Sequence, residues 1–166
     1  TKSGFNIREI MDNKKILLIN LSKGKTGELN AKLLGMIFVM KFQAAAMSRA
    51  DTAEDDRQDF CLFVDEFQNF STESFESILS EARKYRLNLV LANQFMTQLT
   101  DKIREALLGN VGTIMSGRLG VTDAELMEKA FAPVFNAEDL HAMPNYSAIA
   151  TVMMFDMPTS PFTMKL

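Results

Sequence analysis

The sequence lacks several features that would assign it to a specialised class of protein. Its 166 residues include a single cysteine, Cys61, and a single histidine, His141. One cysteine excludes an intramolecular disulfide and a cysteine metal cage, and Cys61 lies in a hydrophobic segment where we expect a small core residue. His141 has no second histidine and no cysteine cluster near it, so we expect a structural or solvent-exposed role.

Basic charge and long apolar runs are scarce too. The formal net charge is -3 and the pI is about 5.2, which gives no global signature of a nucleic-acid-binding protein. No signal peptide is present, and the longest apolar run, residues 33–40, is too short to cross a bilayer. The length is that of one domain, and a start at Thr1 instead of methionine suggests a fragment or a processed product.

A complete Walker A phosphate-binding loop is missing. Residues 24–26 read Gly-Lys-Thr, but the motif needs another glycine five positions before Gly24, and that position is Ile19. We therefore expect a glycine-assisted turn from a strand into a helix. The alternative is that Lys23 and Lys25 contact a polyanion at the edge of a sheet.

The most informative segment is the apolar run 60–64, which ends in Asp65 and Glu66. Such a run predicts a strand that is buried on both faces and delivers its acids at the carboxyl edge of a parallel sheet. Successive side chains on a strand point to opposite faces, so the two carboxylates have different roles. One could hold a hydrated Mg²⁺ while the other faces a reacting water, as in a Walker B strand. The alternative is a strand that ends in a solvated acidic turn.

Strands and helices alternate along the chain, which predicts a parallel, three-layer α/β sheet. The helix predicted from about Glu28 to Arg49 is apolar nearly all round, so most of its surface should be covered. A capping box, Thr122 to Glu125, is predicted to start a later helix. The other predicted strands are 15–21, 87–92, 111–117 and 146–155, and the other predicted helices follow Thr72, Thr100 and Thr122.

Two more polar side chains are predicted near the acids. Gln94 follows the predicted strand 87–92, and Arg118 follows the predicted strand 111–117. Because open α/β sheets bind ligands at the carboxyl ends of their strands, Gln94 could sense a phosphate or orient a water. It could equally be a hydrogen-bonding turn residue.

This ordered set resembles the HerA/FtsK group of hexameric P-loop DNA-pumping ATPases, and most closely the type IV secretion coupling proteins of conjugation. The resemblance is carried by residues 62–67, 79–94 and 109–123. It implies that Asp65 orders the Mg²⁺ shell, that Glu66 polarises the attacking water and that Gln94 reads the γ-phosphate. It implies that Arg118 acts near the nucleotide or at a subunit interface. Arg83 matches a recurrent family position, but it can also serve as a helix-dipole partner.

The resemblance further implies that residues 1–166 are the C-terminal part of a RecA-like motor domain. Its three-layer, mainly parallel sheet would be incomplete, because the P-loop strand belongs between the strands that end at Gln94 and Arg118. Mg-ATP would be bound by the full-length parent, and the fragment would bind no cofactor tightly and be inactive.

The implied partners are DNA or a protein–DNA transfer complex, identical subunits in a hexameric ring, and type IV secretion components. Any membrane contact would come from segments outside this chain, and the parent would be cytoplasmic, at the cytoplasmic face of the bacterial inner membrane. The alternatives are a secretion or pilus ATPase that moves protein, and a catalytically inactive docking module.

Overall fold

The computed structural model describes residues 4–72 and 75–166, which form two compact units, Thr1–Gln94 and Phe95–Leu166. The first unit contains α1 (Ile7–Asp12), α2 (Lys23–Thr26), α3 (Glu28–Met47), β1 (Phe60–Val64), α4 (Phe75–Glu81) and β2 (Leu87–Leu91). The second contains α5 (Asp101–Asn110), β3 (Ile114–Ser116), α6 (Val121–Phe131), α7 (Ala137–His141), β4 (Ser147–Thr151), β5 (Met153–Met154), β6 (Met157–Pro158) and β7 (Phe162–Lys165).

Strands β1 and β2 pair in parallel, in a register that runs from Phe60 opposite Leu87 to Val64 opposite Leu91. The two strands were predicted from their apolar runs, and the structure confirms both. One face of the pair packs on α1, α3 and the 3-10 turn Ala82–Tyr85. The buried residues of this core are Ile7, Met11, Phe42, Ala46, Ala82 and Leu87.

The other face of this two-stranded sheet is open. Phe63 is 72% exposed, and Cys61 is exposed as well. The prediction that β1 is buried on both faces is therefore wrong, and so is the prediction that Cys61 is a core residue. The cause is that α1 and α3 cover one face of the sheet, and every second side chain along β1 points to the other face, away from these helices.

The predicted strand 15–21 does not form. These residues adopt no regular secondary structure and pair with no strand in the described part of the chain, and Ile16 and Leu18 are 89% and 90% exposed. A cleft separates Ile19 and Leu21 from β1. Without a hydrogen-bonded neighbour, an apolar run has the composition of a strand and no ladder to stabilise it.

Helix α3 confirms the predicted long helix, and a 3-10 turn, Ser48–Asp51, extends it. The expectation that most of its surface is covered is wrong, because Leu29 is 79% exposed and both Leu33 and Met40 are 54% exposed. The segment Glu28–Asp51 is long and apolar enough to cross a membrane, but the core helix of a soluble protein can have the same length and composition. We describe α3 as a core helix because its buried stripe packs on the sheet.

A buried arginine connects the end of this long helix to the amino-terminal ends of β1 and β2. Arg49 is 1% exposed, and its Nε donates to Oδ1 of Asp12 at 2.9 Å. Its Nη1 donates to the carbonyl oxygens of Gln58 at 2.9 Å and Tyr85 at 3.0 Å. Because those carbonyls lie two residues before the two strands, Arg49 stabilises the position of the sheet against α3.

A second arginine, Arg8 of α1, pairs with Asp51, and the Nη1–Oδ2 distance is 2.8 Å. This hydrogen bond is the main cause that lowers the pKa of Asp51 from 3.8 to about 2. Because the pKa is lower in the folded state, the stabilisation is present above the unfolded pKa and is lost as the pH falls through about 2.

We expect Asp51→Asn to decrease the melting temperature slightly at pH 7 and to have a smaller effect near pH 2, where the wild-type carboxyl is partly protonated in the folded state. Thermal unfolding followed by circular dichroism at both pH values measures this. Asp56→Asn, at an exposed position between α3 and β1, is the control and should show no such difference. An equal effect of Asp51→Asn at both pH values would contradict the ion-pair explanation.

In the second unit, β3, β4 and β7 form an antiparallel sheet in that order, and β5 and β6 form a short hairpin. Ile149 of β4 lies in a core formed with α6 and α7. The predicted capping box at Thr122 is wrong, because α6 begins at Val121 after Gly120. A capping box does occur at the start of α7, where Asn136 and Asp139 bond reciprocally.

Candidate functional site

The carboxyl ends of β1 and β2 bring three of the predicted site residues to one edge. The backbone N–H of Ala92 donates to the carbonyl of Val64 at 3.0 Å, and the N–H of Phe67 donates to the carbonyl of Ala92 at 3.0 Å. These bonds extend the pairing of the strands past their ends. They place Asp65 and Glu66 beside Gln94, which follows β2.

The backbone of Glu66 is left-handed, with φ 51° and ψ 41°. A residue with a Cβ adopts this conformation at a cost of about 1–3 kcal/mol, so local hydrogen bonds must hold it there. The carbonyl of Glu66 accepts from the backbone N of Asn69 at 3.0 Å and from its Nδ2 at 3.1 Å. The N–H of Glu66 donates to Oδ1 of Asp65 at 2.9 Å.

The carboxylate of Glu66 accepts hydrogen bonds from two glutamine amides, one on each oxygen. Nε2 of Gln94 donates to Oε1, and Nε2 of Gln68 donates to Oε2 at 2.7 Å. Glu66 is half-buried and Gln94 is exposed. Hydrogen bonds to an ionised acceptor are stronger than neutral ones, so the two amides fix the orientation of the carboxylate. A fixed carboxylate at a strand end is suited to accept a proton from a water.

Asp65 is exposed at the same edge and is suited to a different task. In the described part of the chain, no three Asp, Glu, His or Cys side chains converge as a metal-binding group. Mg²⁺ is commonly held by one or two carboxylates, with water and phosphate oxygens as the other ligands. Asp65 therefore fits Mg²⁺ that is bound together with a nucleotide, and not an all-protein metal cage.

A cleft of about 550 Å³ opens beside the two acids. Its walls are α3, residues 19–22, the end of β1 and the turn after it, and Lys32 contributes a cation. This volume lies within the range of small-molecule sites. Most of the lining is apolar, and its polar side chains include Asp65 and Glu66, so the acids line one part of a pocket that is otherwise hydrophobic.

Helix α3 approaches the turn that follows the acids at Gly35, which is buried. A Cβ added at Gly35 would lie 2.2 Å from Cδ1 of Phe70. We expect Gly35→Ala to decrease the free energy of unfolding by about 1–3 kcal/mol, because the Phe70 ring must shift.

Urea denaturation measures the effect of Gly35→Ala. Gly109→Ala, at an α5 position with open space around it, is the control and should be neutral or stabilising. Equal effects of the two substitutions would contradict the close packing of α3 on the turn.

Arg118 lies in the second unit, two residues after β3, and is exposed. The residue after it is anchored, because the N–H of Leu119 donates to the carbonyl of Leu140 at 3.2 Å. The carbonyl of Leu119 lies 3.0 Å from Nδ1 of His141. The structural role expected for His141 is thus visible in a bond that supports the Arg118 loop.

Three other cations were discussed from the sequence, and the structure describes the side chains of two of them, Lys25 and Arg83. Lys25 is exposed in α2, and the side chain of Lys23 is outside the described part of the structure. Arg83 is exposed in the 3-10 turn Ala82–Tyr85, which precedes β2 and therefore lies toward its amino-terminal end.

Sequence reasoning missed Gln68 and Asn69, which hold the side chain and the backbone of Glu66. Their signal was present in the sequence, since two amide residues follow the acids directly. The side chain of an asparagine can donate to the carbonyl of a residue earlier in the same turn. The contact from Asn69 depends on the left-handed conformation of Glu66, which the sequence did not predict.

Residues 59–130 match a family model that is described as the TraM recognition site of TraD and TraG. This segment includes β1, the two acids, Gln94 and Arg118. No curated protein is similar enough to the chain to count as a relative.

Solved structures share the fold. The plasmid coupling protein TrwB, in complex with the GTP analogue GDPNP, is 17% identical with a TM-score of 0.68, over 98% of this chain and 43% of TrwB. TrwB with ADP and Mg²⁺ is 16% identical with a TM-score of 0.60, over 86% of this chain and 37% of TrwB. The genome packaging NTPase B204 of Sulfolobus turreted icosahedral virus 2, with ATP-gammaS, is 13% identical with a TM-score of 0.58, over 95% and 71% of the two chains.

The chain spans well under half of the TrwB chains that it matches, from 36% to 43%. The structural similarity and the family match are consistent with each other. TrwB is itself a coupling protein, and the matched family model describes a site of TraD and TraG. The chain therefore has the RecA-like α/β fold of the nucleotide-binding coupling proteins and resembles the coupling-protein ATPases of conjugation, as the sequence predicted.

Proposed function

We propose that residues 1–166 are the C-terminal part of the motor domain of a conjugative coupling ATPase, which uses Mg-ATP hydrolysis to move DNA or a protein–DNA complex. One observation carries this proposal. Glu66 is held between Gln68 and Gln94 at the carboxyl edge of a parallel strand pair, with Asp65 beside it. This is the arrangement that a phosphoryl-transfer site needs to orient a water and a metal ion.

Each residue then has a separate role. Asp65 would hold Mg²⁺ through water, and the ion would neutralise charge on the phosphates. Glu66 accepts the proton of the attacking water, and Gln94 contacts the γ-phosphate. Arg118 is exposed on an anchored loop, and an arginine there can stabilise phosphate charge at the same site or at that of a neighbouring subunit.

The comparisons support Mg-ATP as the cofactor of the full-length protein. TrwB binds GDPNP in one structure, and ADP with Mg²⁺ in another. The phosphate-binding loop, which the described strands do not supply, would belong to the rest of the protein. We expect this chain alone to bind no nucleotide tightly and to be inactive, because it carries only part of the site.

The family match supports a protein partner, since the model that matches residues 59–130 is described as the TraM recognition site of TraD and TraG. We propose that the full-length protein docks a relaxosome component and type IV secretion components while it works as a hexameric ring. It would act in the cytoplasm, at the inner face of the bacterial inner membrane, through anchoring segments outside this chain.

Displacement of a triplex-forming oligonucleotide from duplex DNA tests translocation by the full-length protein. We expect displacement that depends on ATP and Mg²⁺ and disappears with Glu66→Gln. Hydrolysis without displacement, on any DNA offered, would contradict DNA movement and favour a secretion or pilus ATPase whose cargo is protein.

A catalytically inactive docking module is the second candidate, because the matched family model describes a recognition site and not a catalytic one. Binding to a relaxosome protein that persists in Glu66→Gln, together with no hydrolysis by the full-length wild type, would favour this candidate. Binding accompanied by hydrolysis in the wild type would favour the motor.

A further inference from the structure

Gln68 contacts the carboxylate of Glu66 on the oxygen that Gln94 does not contact. Its Nε2 lies 2.7 Å from Oε2, whereas Gln94 donates to Oε1. The two amides differ in their freedom, because Gln68 is half-buried and Gln94 is exposed. One carboxylate therefore has one confined donor and one donor at the surface.

The backbone of Gln68 is fixed relative to Glu66. It lies in the 3-10 turn Phe67–Asn69, which starts directly after Glu66. Phe67 is 1% exposed, and its N–H donates to the carbonyl of Ala92 at 3.0 Å. The carbonyl of Gln68 accepts from Oγ of Ser71 at 3.2 Å. These contacts fix both ends of the turn, so the Gln68 amide has few alternative positions.

The orientation of the amide is determined by the carboxylate. A reversed amide would bring a carbonyl oxygen to the acceptor-only oxygens of Glu66, which is repulsive. In the observed orientation, Oε1 of Gln68 is buried and has no hydrogen-bond partner among the described residues. Leaving a buried acceptor unpaired is unfavourable, and the charge-assisted bond to Glu66 is the interaction that offsets it.

We propose that Gln68 is a positioning residue for the hydrolysis reaction, which holds Oε2 of Glu66 so that Oε1 is the oxygen that accepts the proton from water. This inference rests on the proposed function. When Gln94 turns to the γ-phosphate, Oε1 loses its donor and becomes available as a base. Gln68 keeps Oε2 in place during that change, so the carboxylate does not rotate away from the water.

Steady-state hydrolysis of Mg-ATP by the full-length protein tests this role through Gln68→Met, which keeps the length of the side chain and removes the donor. We expect kcat to fall about tenfold, with KM within twofold of the wild type. Gln68→Asn keeps the amide on a shorter side chain and should recover part of the rate. Gln98→Met is the matched control, an exposed glutamine at the end of another 3-10 turn, and should match the wild type.

The melting temperature separates positioning from a purely structural role. We expect Gln68→Met to change it by less than about 3 °C, since the substitution also removes the unpaired Oε1. In single-turnover experiments, adding Gln68→Met to Glu66→Gln should not decrease the residual rate further, because the donor acts through the carboxylate.

An unchanged kcat in Gln68→Met, in a wild type that hydrolyses ATP and loses activity with Glu66→Gln, would overturn this inference alone. A decrease in kcat that is accompanied by a large decrease in melting temperature would overturn it too, because the loss of activity would then come from unfolding. Absence of hydrolysis by the wild-type protein would overturn both this inference and the proposed motor function.

Discussion

Glu66→Gln in the full-length protein should decrease kcat for ATP hydrolysis by about 10²–10⁴-fold and leave nucleotide binding within a few-fold of the wild type. A positioned general base contributes a factor of this size, and the amide of glutamine cannot accept the proton of the water. The amide can still contact one neighbouring glutamine, so the turn at Glu66 should remain folded. Steady-state hydrolysis and the equilibrium binding of a fluorescent nucleotide measure the two quantities.

The control for this substitution is Glu54→Gln, at an exposed position between α3 and β1. It should leave kcat and binding unchanged. Unchanged hydrolysis in Glu66→Gln would contradict the assignment of Glu66 as the catalytic carboxylate. A parallel loss of binding and melting temperature would indicate that Glu66 supports the fold instead.

Arg49→Met should decrease the free energy of unfolding by about 3 kcal/mol, the largest stability effect that we expect. The substitution removes the donors to the carbonyls of Gln58 and Tyr85 and one of the two arginines that pair with Asp12, of which Arg8 is the other. Removing one partner of a buried ion pair decreases the free energy of unfolding by about 3–5 kcal/mol, because the other partner stays buried without compensation. The decrease for Arg49→Met should lie near the lower end of this range. Asp12 is 41% exposed and can be hydrated, and Nη2 of Arg49 already has no partner among the described residues.

Urea denaturation of the 166-residue chain measures this effect. Lys41→Met, at an exposed position of α3, is the matched control and should change stability by less than about 0.5 kcal/mol. Equal effects of the two substitutions would contradict the role of Arg49 in holding the sheet against α3.

The elements that the sequence predicted well are those that local composition determines. The segment 60–64 is apolar and ends in charge, and Leu87 to Leu91 is a short apolar run with one polar residue, Asn88, so both strands were predicted close to their observed bounds. Helix α3 was predicted because its long apolar run contains no proline and is flanked by polar residues.

Most of the features that were predicted wrongly depend on distant parts of the molecule. Residues 15–21 have the pattern of a buried strand, but a strand needs a neighbour, and the described part of the chain supplies none beside them. The exposure of Phe63 and Leu29 has a similar origin, since a pattern predicts that a side chain can be buried and not that a covering element is present. The Thr122 capping box failed because α6 begins earlier, at Val121.

The candidate site was predictable in part. The meeting of Glu66 with Gln94 follows from parallel pairing, because the two strands end at the same edge. The contact from Gln68 required the left-handed turn at Glu66, a backbone conformation that sequence patterns rarely identify outside glycine and asparagine. The role of Arg118 stays a prediction, since it lies in the other compact unit.

The most direct test of the account is Mg-ATP hydrolysis in the presence of DNA, measured side by side for this 166-residue chain and the full-length protein. We predict DNA-stimulated hydrolysis by the full-length protein, loss of that activity with Glu66→Gln, and none by the chain alone. Inactivity of the full-length wild type with DNA and Mg-ATP would contradict the motor and favour the docking module.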